Sequence, residues 1–215
     1  MNKWFKLFCI VIISLTCLLF AAHLTGTLVM YKQKDNSLLP SFSSGSLTIT
    51  SNLKKFDRND IVCFSMQDKS GKSSIQIRRI AGLEGDTIEF NDGYLLRNGF
   101  MADNPDKVMF NYYAYRKRIY NYAIFDSLRI KPVLLKDSAV LCLNYLEKEK
   151  ICRHLLLHRL GVFPKSHIAS NTQHINGIII VPKGYCFVLA DNRDNYEDSR
   201  HWGFIPVENI KAVGL

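Results

Sequence analysis

The sequence predicts a mainly β protein, in which an antiparallel β-sheet domain follows one N-terminal membrane-spanning helix and contains a basic insertion. Three observations support this class. A long uncharged apolar run lies near the N-terminus, short apolar segments separated by turn residues make up most of the remainder, and one middle segment has a different composition. With 215 residues and 47% apolar composition, the chain is long enough to bury a core.

The apolar run extends from Leu7 to Met30 and contains no Lys, Arg, Asp or Glu. As a helix it would be about 36 Å long, enough to cross a hydrocarbon core of roughly 30 Å. A cleaved signal peptide is the competing interpretation, but its apolar region usually covers about 7–15 residues and ends at a small-residue site, unlike Ala21-Ala22-His23. We therefore expect an uncleaved anchor. The predicted organisation is a short cytoplasmic segment (1–6), a transmembrane helix (7–30) and a β domain (31–215).

The charges that flank the helix do not decide its orientation. Lys3 and Lys6 precede it, and Lys32 and Lys34 follow it, so the excess of positive charge that marks a cytoplasmic side is nearly balanced.

The segments after the helix alternate like half-buried strands and are separated by turn residues. Turns are predicted at 56–60, at a hairpin tip (68–72) and at 82–86. The predicted strands are Leu47–Thr50, Ile61–Phe64, Ser74–Ile80, Thr87–Phe90 and the apolar part of Val181–Leu189. Several short strands with regular turns favour an antiparallel domain.

The last of these strands leads into a dense polar loop, residues 190–203. Asp198 and Arg200 in this loop suit a charge-assisted, bidentate pair that would stiffen it. Trp202, Phe204 and Ile205 lie at the end of this loop or directly after it, so we expect the loop to be attached to a core. Rigid polar loops on sheets are frequent positions for functional sites.

The segment from Asp191 to Pro206 resembles the C-terminal signature of bacterial signal peptidase I, a family of membrane-bound serine proteases of the Ser-Lys type. Three other segments resemble boxes of the same family in the same order. Ser37-Leu38-Leu39-Pro40 resembles the nucleophile box, with Leu38 where Met is usual. The segment 56–64 resembles a turn-and-strand box, with Asn59 replacing Gly. The segment 77–86 resembles the base-bearing box, with Glu84 where Pro is common.

The resemblance implies a set of site residues. Ser37 is the implied nucleophile, Arg78 occupies the position of the lysine base, and Asp35 and Ser37 form the oxyanion region. Tyr196 stands where a serine usually hydrogen-bonds the lysine, and Ala190 stands where Gly is typical. The implied supporting loop consists of Asp191, Asn192, Arg193, Tyr196, Asp198, Ser199 and Arg200.

Arginine at position 78 changes the expected chemistry. A lysine base must lose its proton in order to accept the one from the serine, whereas arginine has a reference pKa of about 12.5–13.8. Bringing it to neutrality would cost roughly 8 kcal/mol, so we expect Arg78 to stay cationic. An ionised carboxylate at Asp35 accepts hydrogen bonds and would repel a developing oxyanion.

Three hypotheses follow. The first is a signal peptidase I-like serine endopeptidase that removes signal peptides from exported preproteins, with Lys72, His201 or a water molecule as the base. The second is a catalytically impaired homologue that acts as a membrane-anchored substrate-binding or accessory protein. The third, compatible with either, is a lipid-surface or scaffold role for the basic insertion. The resemblance also implies a location in the cell membrane, with the bulk of the chain on the exoplasmic side, and requires no cofactor.

The basic insertion has no counterpart in the resemblance, and we place it at residues 107–175. Between Lys107 and Lys165 it holds 12 Lys and Arg against 4 acidic residues, and residues 111–120 mix aromatic and cationic side chains. Such a surface suits anionic lipid headgroups, although a solvated face explains the composition equally well. Nucleic acid would be attracted by the same chemistry, but no recognised binding motif is present, and we expect no such partner. Residues 147–160 are predicted to form a short helix.

The cysteines and histidines give little support for a metal site. None of the six cysteines has CxxC spacing, and we expect Cys63 and Cys186 to be buried in strands. Cys142 and Cys152 could form a disulfide in an oxidising compartment. His154 and His158 lie one helical turn apart, but three leucines separate them, so an ordinary helix is the favoured interpretation and no metal is expected.

Overall fold

The computed structural model of the chain describes residues 3–67, 71–116, 123–153, 157–159, 174–175 and 177–215. Within these residues, one N-terminal helix is followed by three β-sheets in which all strand pairings are antiparallel. The predicted mainly β, antiparallel class is therefore confirmed. Residues 68–70 of the predicted hairpin tip (68–72) and residues 117–120 of the aromatic and cationic stretch lie outside the described residues.

Helix α1 (Lys3–Leu24) is long and apolar enough to cross a membrane. Its most apolar 18 residues have a mean hydropathy of 2.6, and none of these residues is buried against the rest of the protein. Its 22 residues would span about 33 Å. The helix ends before Met30, where the apolar run ends. Gly26 has a positive φ of 70° and donates its backbone N–H to the His23 carbonyl, which is a common way to end a helix. Val29 and Met30 already belong to the first strand.

The first sheet carries most of the strands that the sequence predicts. Asn59, in the turn before the strand Ile61–Gln67, has φ 70°, a conformation that asparagine tolerates better than most residues, and this explains how it replaces glycine. In spatial order the strands are β1 (Val29–Lys32), β2 (Leu47–Ser51), β16 (Ile210–Gly214), β3 (Ile61–Gln67), β4 (Ser73–Leu83), β14 (Tyr185–Leu189) and β15 (Ile205–Pro206).

Alternation along β3 and β4 buries both faces of this sheet. Phe64 and Ile80 point to one side, where Trp202 and Ile205 pack against them. Cys63 and Ile77 point to the other side, where they pack against Leu38. Leu38 is fully buried, and burial of a leucine side chain stabilises a fold by about 1.5–3 kcal/mol, so this contact holds the segment around Ser37 against the sheet.

The second sheet is built from the basic middle segment and has its own apolar cluster, which includes Phe110, Phe125, Leu141 and Ile151. Its strands, in spatial order, are β11 (His158–Arg159), β8 (Phe110–Tyr115), β10 (Ser138–Leu143) and β9 (Val133–Leu134).

The third sheet contains β12 (His174–Ile175), β13 (Ile178–Ile180), β5 (Thr87–Asn91), β6 (Tyr94–Arg97) and β7 (Phe100–Met101). The described elements also include the short helices α2 (Ala123–Ser127), α3 (Tyr145–Cys152) and α4 (Ser199–Trp202), and single 3₁₀ turns at Pro105–Lys107 and Val207–Asn209.

The helix predicted at 147–160 is wrong in its second half. Helix α3 (Tyr145–Cys152) begins two residues earlier, because Asn144 and Glu147 form a reciprocal capping box. His158 and Arg159 form β11, where they pair with Tyr113 and Tyr112 of β8. The tertiary pairing with β8 therefore outweighs the local helical pattern.

Candidate active site

Ser37 lies in the loop between β1 and β2 and is fully buried. Its carbonyl oxygen accepts a hydrogen bond of 3.0 Å from the backbone N–H of Asn192. Together with the packing of Leu38, this bond holds the serine between β4 and the polar loop.

The Arg78 guanidinium on β4 reaches the Ser37 hydroxyl. Its Nη1 atom donates hydrogen bonds of 2.9 Å to Ser37 Oγ and 2.8 Å to the Ile77 carbonyl, and its Nε atom donates one of 2.9 Å to the Glu197 carbonyl. The guanidinium carbon lies 5.3 Å from the centre of the Trp202 ring, a distance at which a cation is attracted to the aromatic face. Arg78 is only 3% exposed, so these groups hold its side chain in place on several sides.

Burial lowers the pKa of Arg78, because it disfavours the charged form, while the negative charges of Asp35 and Asp198 act in the opposite direction. Arginine starts from so high a pKa that it remains protonated near neutral pH. A protonated guanidinium is a donor only, in agreement with the direction of its bond to Ser37 Oγ.

The carboxylate of Asp35 accepts a hydrogen bond from the backbone N–H of Ser37, the candidate nucleophile. Its Oδ1 atom accepts a hydrogen bond of 2.9 Å from the backbone N–H of Ser37, and its Oδ2 atom lies 3.9 Å from Nη1 of Arg78. The carboxylate therefore accepts at the position where the resemblance implies a donor to an oxyanion. Its side chain is 34% exposed, so water screens part of its interaction with Arg78.

Gln33 is a site residue that the sequence analysis missed. It is 2% exposed, and its Nε2 atom donates hydrogen bonds of 3.0 Å to Ser37 Oγ and 2.9 Å to Asp35 Oδ1. A single glutamine gives no local signal of this role. Its place four residues before Ser37, next to a β-strand, is the only sequence feature that points to it.

The polar loop contains the predicted bidentate pair. Nε and Nη2 of Arg200 each donate to one carboxylate oxygen of Asp198 at 2.8 Å, and both side chains are buried. The pKa of Asp198 lies below its ordinary value: burial opposes ionisation, but the charge and hydrogen bonds of Arg200 outweigh it. The backbone N–H of Ala190 also donates to Asp198, at 3.0 Å, and this bond ties the start of the loop to its end.

The other residues of the predicted supporting loop also reach distant partners. Asp191 accepts a bidentate hydrogen bond from Arg79, a partner that the sequence analysis did not identify, at 2.9 and 2.6 Å. Arg78 and Arg79 are adjacent on β4 and therefore point to opposite faces, one towards Ser37 and one towards Asp191. Two further bonds hold other parts of the loop: Arg193 donates to the carboxylate of Asp103, and Ser199 Oγ accepts from the Val188 N–H. Two more bonds join the loop to Asn36, whose N–H donates to Tyr196 Oη and whose carbonyl accepts from Asn192 Nδ2.

The two alternative bases named from the sequence are placed differently. Lys72 is exposed and comes just before β4, six residues from Arg78, which corresponds to about 20 Å along an extended strand. His201 accepts a hydrogen bond of 3.3 Å at Nδ1 from the Asp198 backbone N–H, so it helps to cap helix α4.

Two cavities flank the Ser37 segment. The smaller, of about 110 Å³, lies between residues 31–35 and 75–78, and Gln33, Asp35 and Arg78 line it. The larger, of about 740 Å³, is lined by Asn36, Leu39 and Tyr196 and, on the other side, by residues of the basic insertion that include Arg129 and Lys131.

The cysteines are free thiols, including Cys142 and Cys152, so the proposed disulfide between these two is not present. Cys142 Sγ instead donates to Asn192 Oδ1 at 3.3 Å. Cys63 and Cys186 are buried as predicted, and burial raises the pKa of each to about 12. In the described part of the chain no cluster of three potential metal ligands occurs; His158 stacks on Tyr113, and His154 lies outside the described residues.

Comparisons with known proteins agree with the resemblance. Residues 1–214 match the family described as "Signal peptidase, peptidase S26". The chain is 28% identical over 197 residues to signal peptidase I of Buchnera aphidicola subsp. Baizongia pistaciae, covering 87% of this chain and 62% of the relative, and 30% identical over 161 residues to that of Aquifex aeolicus, covering 63% and 53%. The chain thus spans about half to three-fifths of the length of these relatives. A signal peptidase I structure from Enterococcus faecalis V583 is 23% identical and covers 75% of this chain and 98% of its own, with a TM-score of 0.38.

Proposed function

Because the chain belongs to the signal peptidase family, peptidase S26, we propose that it is a membrane-anchored serine endopeptidase that removes signal peptides from exported preproteins. The observation that carries this proposal is the buried hydroxyl of Ser37, which Arg78 contacts at 2.9 Å beside the polar loop. Ser37 is the proposed nucleophile, and the loop that Asp198 and Arg200 stiffen is the proposed support.

The proposed substrate lies in an extended conformation beside Ser37. Strand β1 lies at one edge of the first sheet, as far as the described residues show. An extended peptide can add to such an edge strand through main-chain hydrogen bonds. The cavity of about 110 Å³ has room for a side chain of a few heavy atoms. Both properties suit a signal peptide that ends in small residues such as Ala-x-Ala.

Helix α1 is the proposed membrane anchor, and residues 1–6 are the proposed cytoplasmic segment. The β domain, with the insertion at 107–175, would then lie on the exoplasmic side of the cell membrane. Ser37 is 13 residues beyond Leu24, the end of the helix, so the proposed nucleophile would work near the lipid surface, where a signal peptide is itself embedded.

In the proposed reaction, Ser37 Oγ attacks the carbonyl carbon and its proton passes to a water molecule, because the protonated guanidinium cannot accept it. The peptide C–N bond breaks as the leaving amine takes up a proton, and water then hydrolyses the serine ester. The two hydrogen bonds that Oγ accepts, at 2.9 Å from Arg78 and 3.0 Å from Gln33, favour its anionic form. This partly compensates for the lack of a lysine base, and we expect slow turnover.

A second candidate function is supported by the same atoms. With a donor in place of the base, and Asp35 occupying the Ser37 N–H, the site suits a homologue that binds signal peptides without cutting them. Such a protein would act as a membrane-anchored substrate-binding or accessory protein.

Cleavage of a preprotein by the full chain in detergent micelles separates these candidates. The unmodified chain is compared with Ser37→Ala, and peptide binding is measured in parallel. Slow cleavage that Ser37→Ala abolishes supports the endopeptidase. If the unmodified chain binds the signal peptide but does not cleave the preprotein, the result supports the binding protein. If it neither binds nor cleaves, the result contradicts the proposed function.

A further inference from the structure

One end of the second sheet is a β-hairpin that exposes apolar side chains. Strands β9 and β10 form this hairpin, and the Leu135 N–H donates to the Ser138 carbonyl at 2.8 Å across its tip, residues 136–137. Three consecutive apolar residues precede the tip: Val133, Leu134 and Leu135 are 62%, 49% and 50% exposed. Exposed apolar residues that are contiguous, unlike scattered ones, mark a surface that contacts another molecule.

The exposed apolar side chains lie on both faces of strand β9. Val133 and Leu134 are consecutive residues of this strand, so their side chains point to opposite faces of the sheet. Leu134 pairs with Ala139, which is fully buried, yet Leu134 itself is half exposed. Among the described residues β9 is the last strand of its sheet. The strand therefore extends beyond the core of the sheet, with both of its faces exposed.

The same end of the sheet carries an exposed tyrosine and two exposed cations. Tyr115, the last residue of β8, pairs with Ser138 and is 49% exposed. The backbone N–H of the next residue, Arg116, donates to the Asp137 carbonyl at 3.0 Å, so Arg116 lies beside the hairpin tip that contains Lys136. Arg116 and Lys136 are exposed, and no salt bridge involves either of them in the described part of the chain.

We propose that this hairpin end, which consists of Tyr115, Arg116 and residues 133–137, inserts into the surface of a bilayer that contains anionic phospholipids. The apolar side chains enter the boundary of the acyl chains, and Arg116 and Lys136 bind the anionic headgroups. These two cations outnumber the single acidic side chain of the tip, Asp137, and tyrosine favours the same depth of the bilayer. The contact is separate from helix α1 and does not depend on the proposed cleavage reaction.

A bilayer fits this surface better than a folded protein does. A folded partner covers one face of a strand, whereas lipid surrounds a projecting hairpin on both faces. Long lysine and arginine side chains can keep their charge among the headgroups while the apolar residues beside them are buried. Helix α1, the proposed anchor, also holds the chain at a membrane, so docking of the hairpin is an intramolecular step that needs little affinity of its own.

Hydrogen–deuterium exchange of the full chain, measured by mass spectrometry, tests this contact. The chain is incorporated at one copy per lipid nanodisc, so that no second copy can cover the hairpin. One set of discs contains phosphatidylcholine alone, and the other also contains phosphatidylglycerol. We expect the amides of residues 133–137 to exchange at least about fivefold more slowly in the anionic discs, which is the effect of one cation near an anionic surface.

Residues 100–101 of strand β7 are the internal control. They are also exposed and apolar, and β7 is also the last strand of its sheet among the described residues. Their neighbouring cation, Arg97, donates to the Ala81 carbonyl at 2.9 Å and is therefore held against the protein. Exchange of residues 100–101 should be equal in the two kinds of disc.

The double variant Arg116→Gln/Lys136→Gln removes both cations of the hairpin end. Because each cation contributes about fivefold, the docking equilibrium in anionic discs should fall about thirtyfold, and the slow exchange should be lost. Lys150→Gln/Lys183→Gln is the matched control, since it removes two exposed cations elsewhere and gives the same net charge. This control should keep the slow exchange. All four side chains are exposed, so the substitutions leave the core unchanged.

The variant Leu134→Ser/Leu135→Ser removes apolar contacts and keeps the charges, so it should also lose the slow exchange. Equal exchange of residues 133–137 in the two kinds of disc would overturn this inference. It would also be overturned if the control variant lost the slow exchange as fully as Arg116→Gln/Lys136→Gln. Slow exchange in detergent micelles that increases with chain concentration would identify a second copy as the partner and would overturn it too.

Discussion

The Nη1 atom of Arg78 donates a hydrogen bond to Ser37 Oγ at 2.9 Å, although 41 residues separate the two positions in the sequence. This bond runs in the direction opposite to the one that a serine protease needs, because a base must accept the proton of its nucleophile. A cation at this position can stabilise negative charge on the serine oxygen but cannot remove its proton. The catalytic predictions below follow from this difference.

Arg78→Lys should increase cleavage by at least about tenfold, since a positioned general base contributes roughly 10²- to 10⁴-fold to a rate. A buried lysine can lose its proton, whereas arginine does not, and only the deprotonated lysine is a base. The rate of the variant should therefore rise with pH until the lysine is deprotonated. Measurements of kcat/KM between pH 6 and 10 would check both effects.

Arg79→Lys is the matched control for that experiment, because Arg79 lies next to Arg78 on the same strand but points to Asp191. It should not increase cleavage. An equal gain in both variants, or no gain in Arg78→Lys, would contradict the assignment of position 78.

Asp35→Ser should increase cleavage further when it is combined with Arg78→Lys. The change releases the Ser37 N–H that Asp35 occupies and supplies a hydroxyl donor in place of a negative charge. One donor to an oxyanion contributes about 10²- to 10³-fold to kcat in known serine proteases. Asp35→Ala in the same background removes the charge without adding a donor, so the kcat ratio between the two double variants measures the donor alone. A ratio near one would show that position 35 does not face the oxyanion.

Asp198→Asn should lower the free energy of unfolding by about 3–5 kcal/mol, because it leaves the buried guanidinium of Arg200 without its counter-charge. Denaturant unfolding, followed by tryptophan fluorescence, would measure the loss. Asp57→Asn is the control, since Asp57 is exposed and its nearest contact with the Arg58 guanidinium is 3.9 Å. Exposed pairs of this kind contribute about 0–1 kcal/mol. Similar losses in both variants would contradict the structural role of the Asp198 pair.

Acid should destabilise the fold through Asp86. Burial opposes ionisation of this carboxyl, but hydrogen bonds from Arg58, the Leu83 N–H and Asn98 outweigh it and lower its pKa to about 2. A pKa that is lower in the folded state gives stability that is fully present above the unfolded value, near 4, and is lost as pH falls to about 2. The contribution amounts to about 2 kcal/mol.

The difference in unfolding free energy between the unmodified chain and Asp86→Asn, measured from pH 6 to pH 2, would check this. It should be constant above about pH 5 and shrink below pH 4. A difference that does not change with pH would show that the folded and unfolded pKa values of Asp86 are the same.

Features that depend on neighbouring residues could be predicted from the sequence. The pairing of Asp198 with Arg200 is an example, because only two positions separate the partners and the geometry of one turn brings them together. Strands β2, β3, β4 and β14 of the first sheet are another, since apolar residues at alternating or consecutive positions between turn residues indicate strands that contact a core. The same local reasoning failed at His158, where pairing with β8 replaces the predicted helix.

By itself, the sequence determined the antiparallel β class, the apolar N-terminal helix and the residue types at the site, since composition and periodicity are properties of short segments. Only the tertiary structure decided that Arg78 donates to Ser37, that Gln33 joins Ser37 to Asp35, and that Arg79 holds Asp191. These contacts depend on the direction of a few hydrogen bonds, most of them between segments far apart in the chain. Such directions are set by how the sheet and the loop pack together, and no local pattern encodes them.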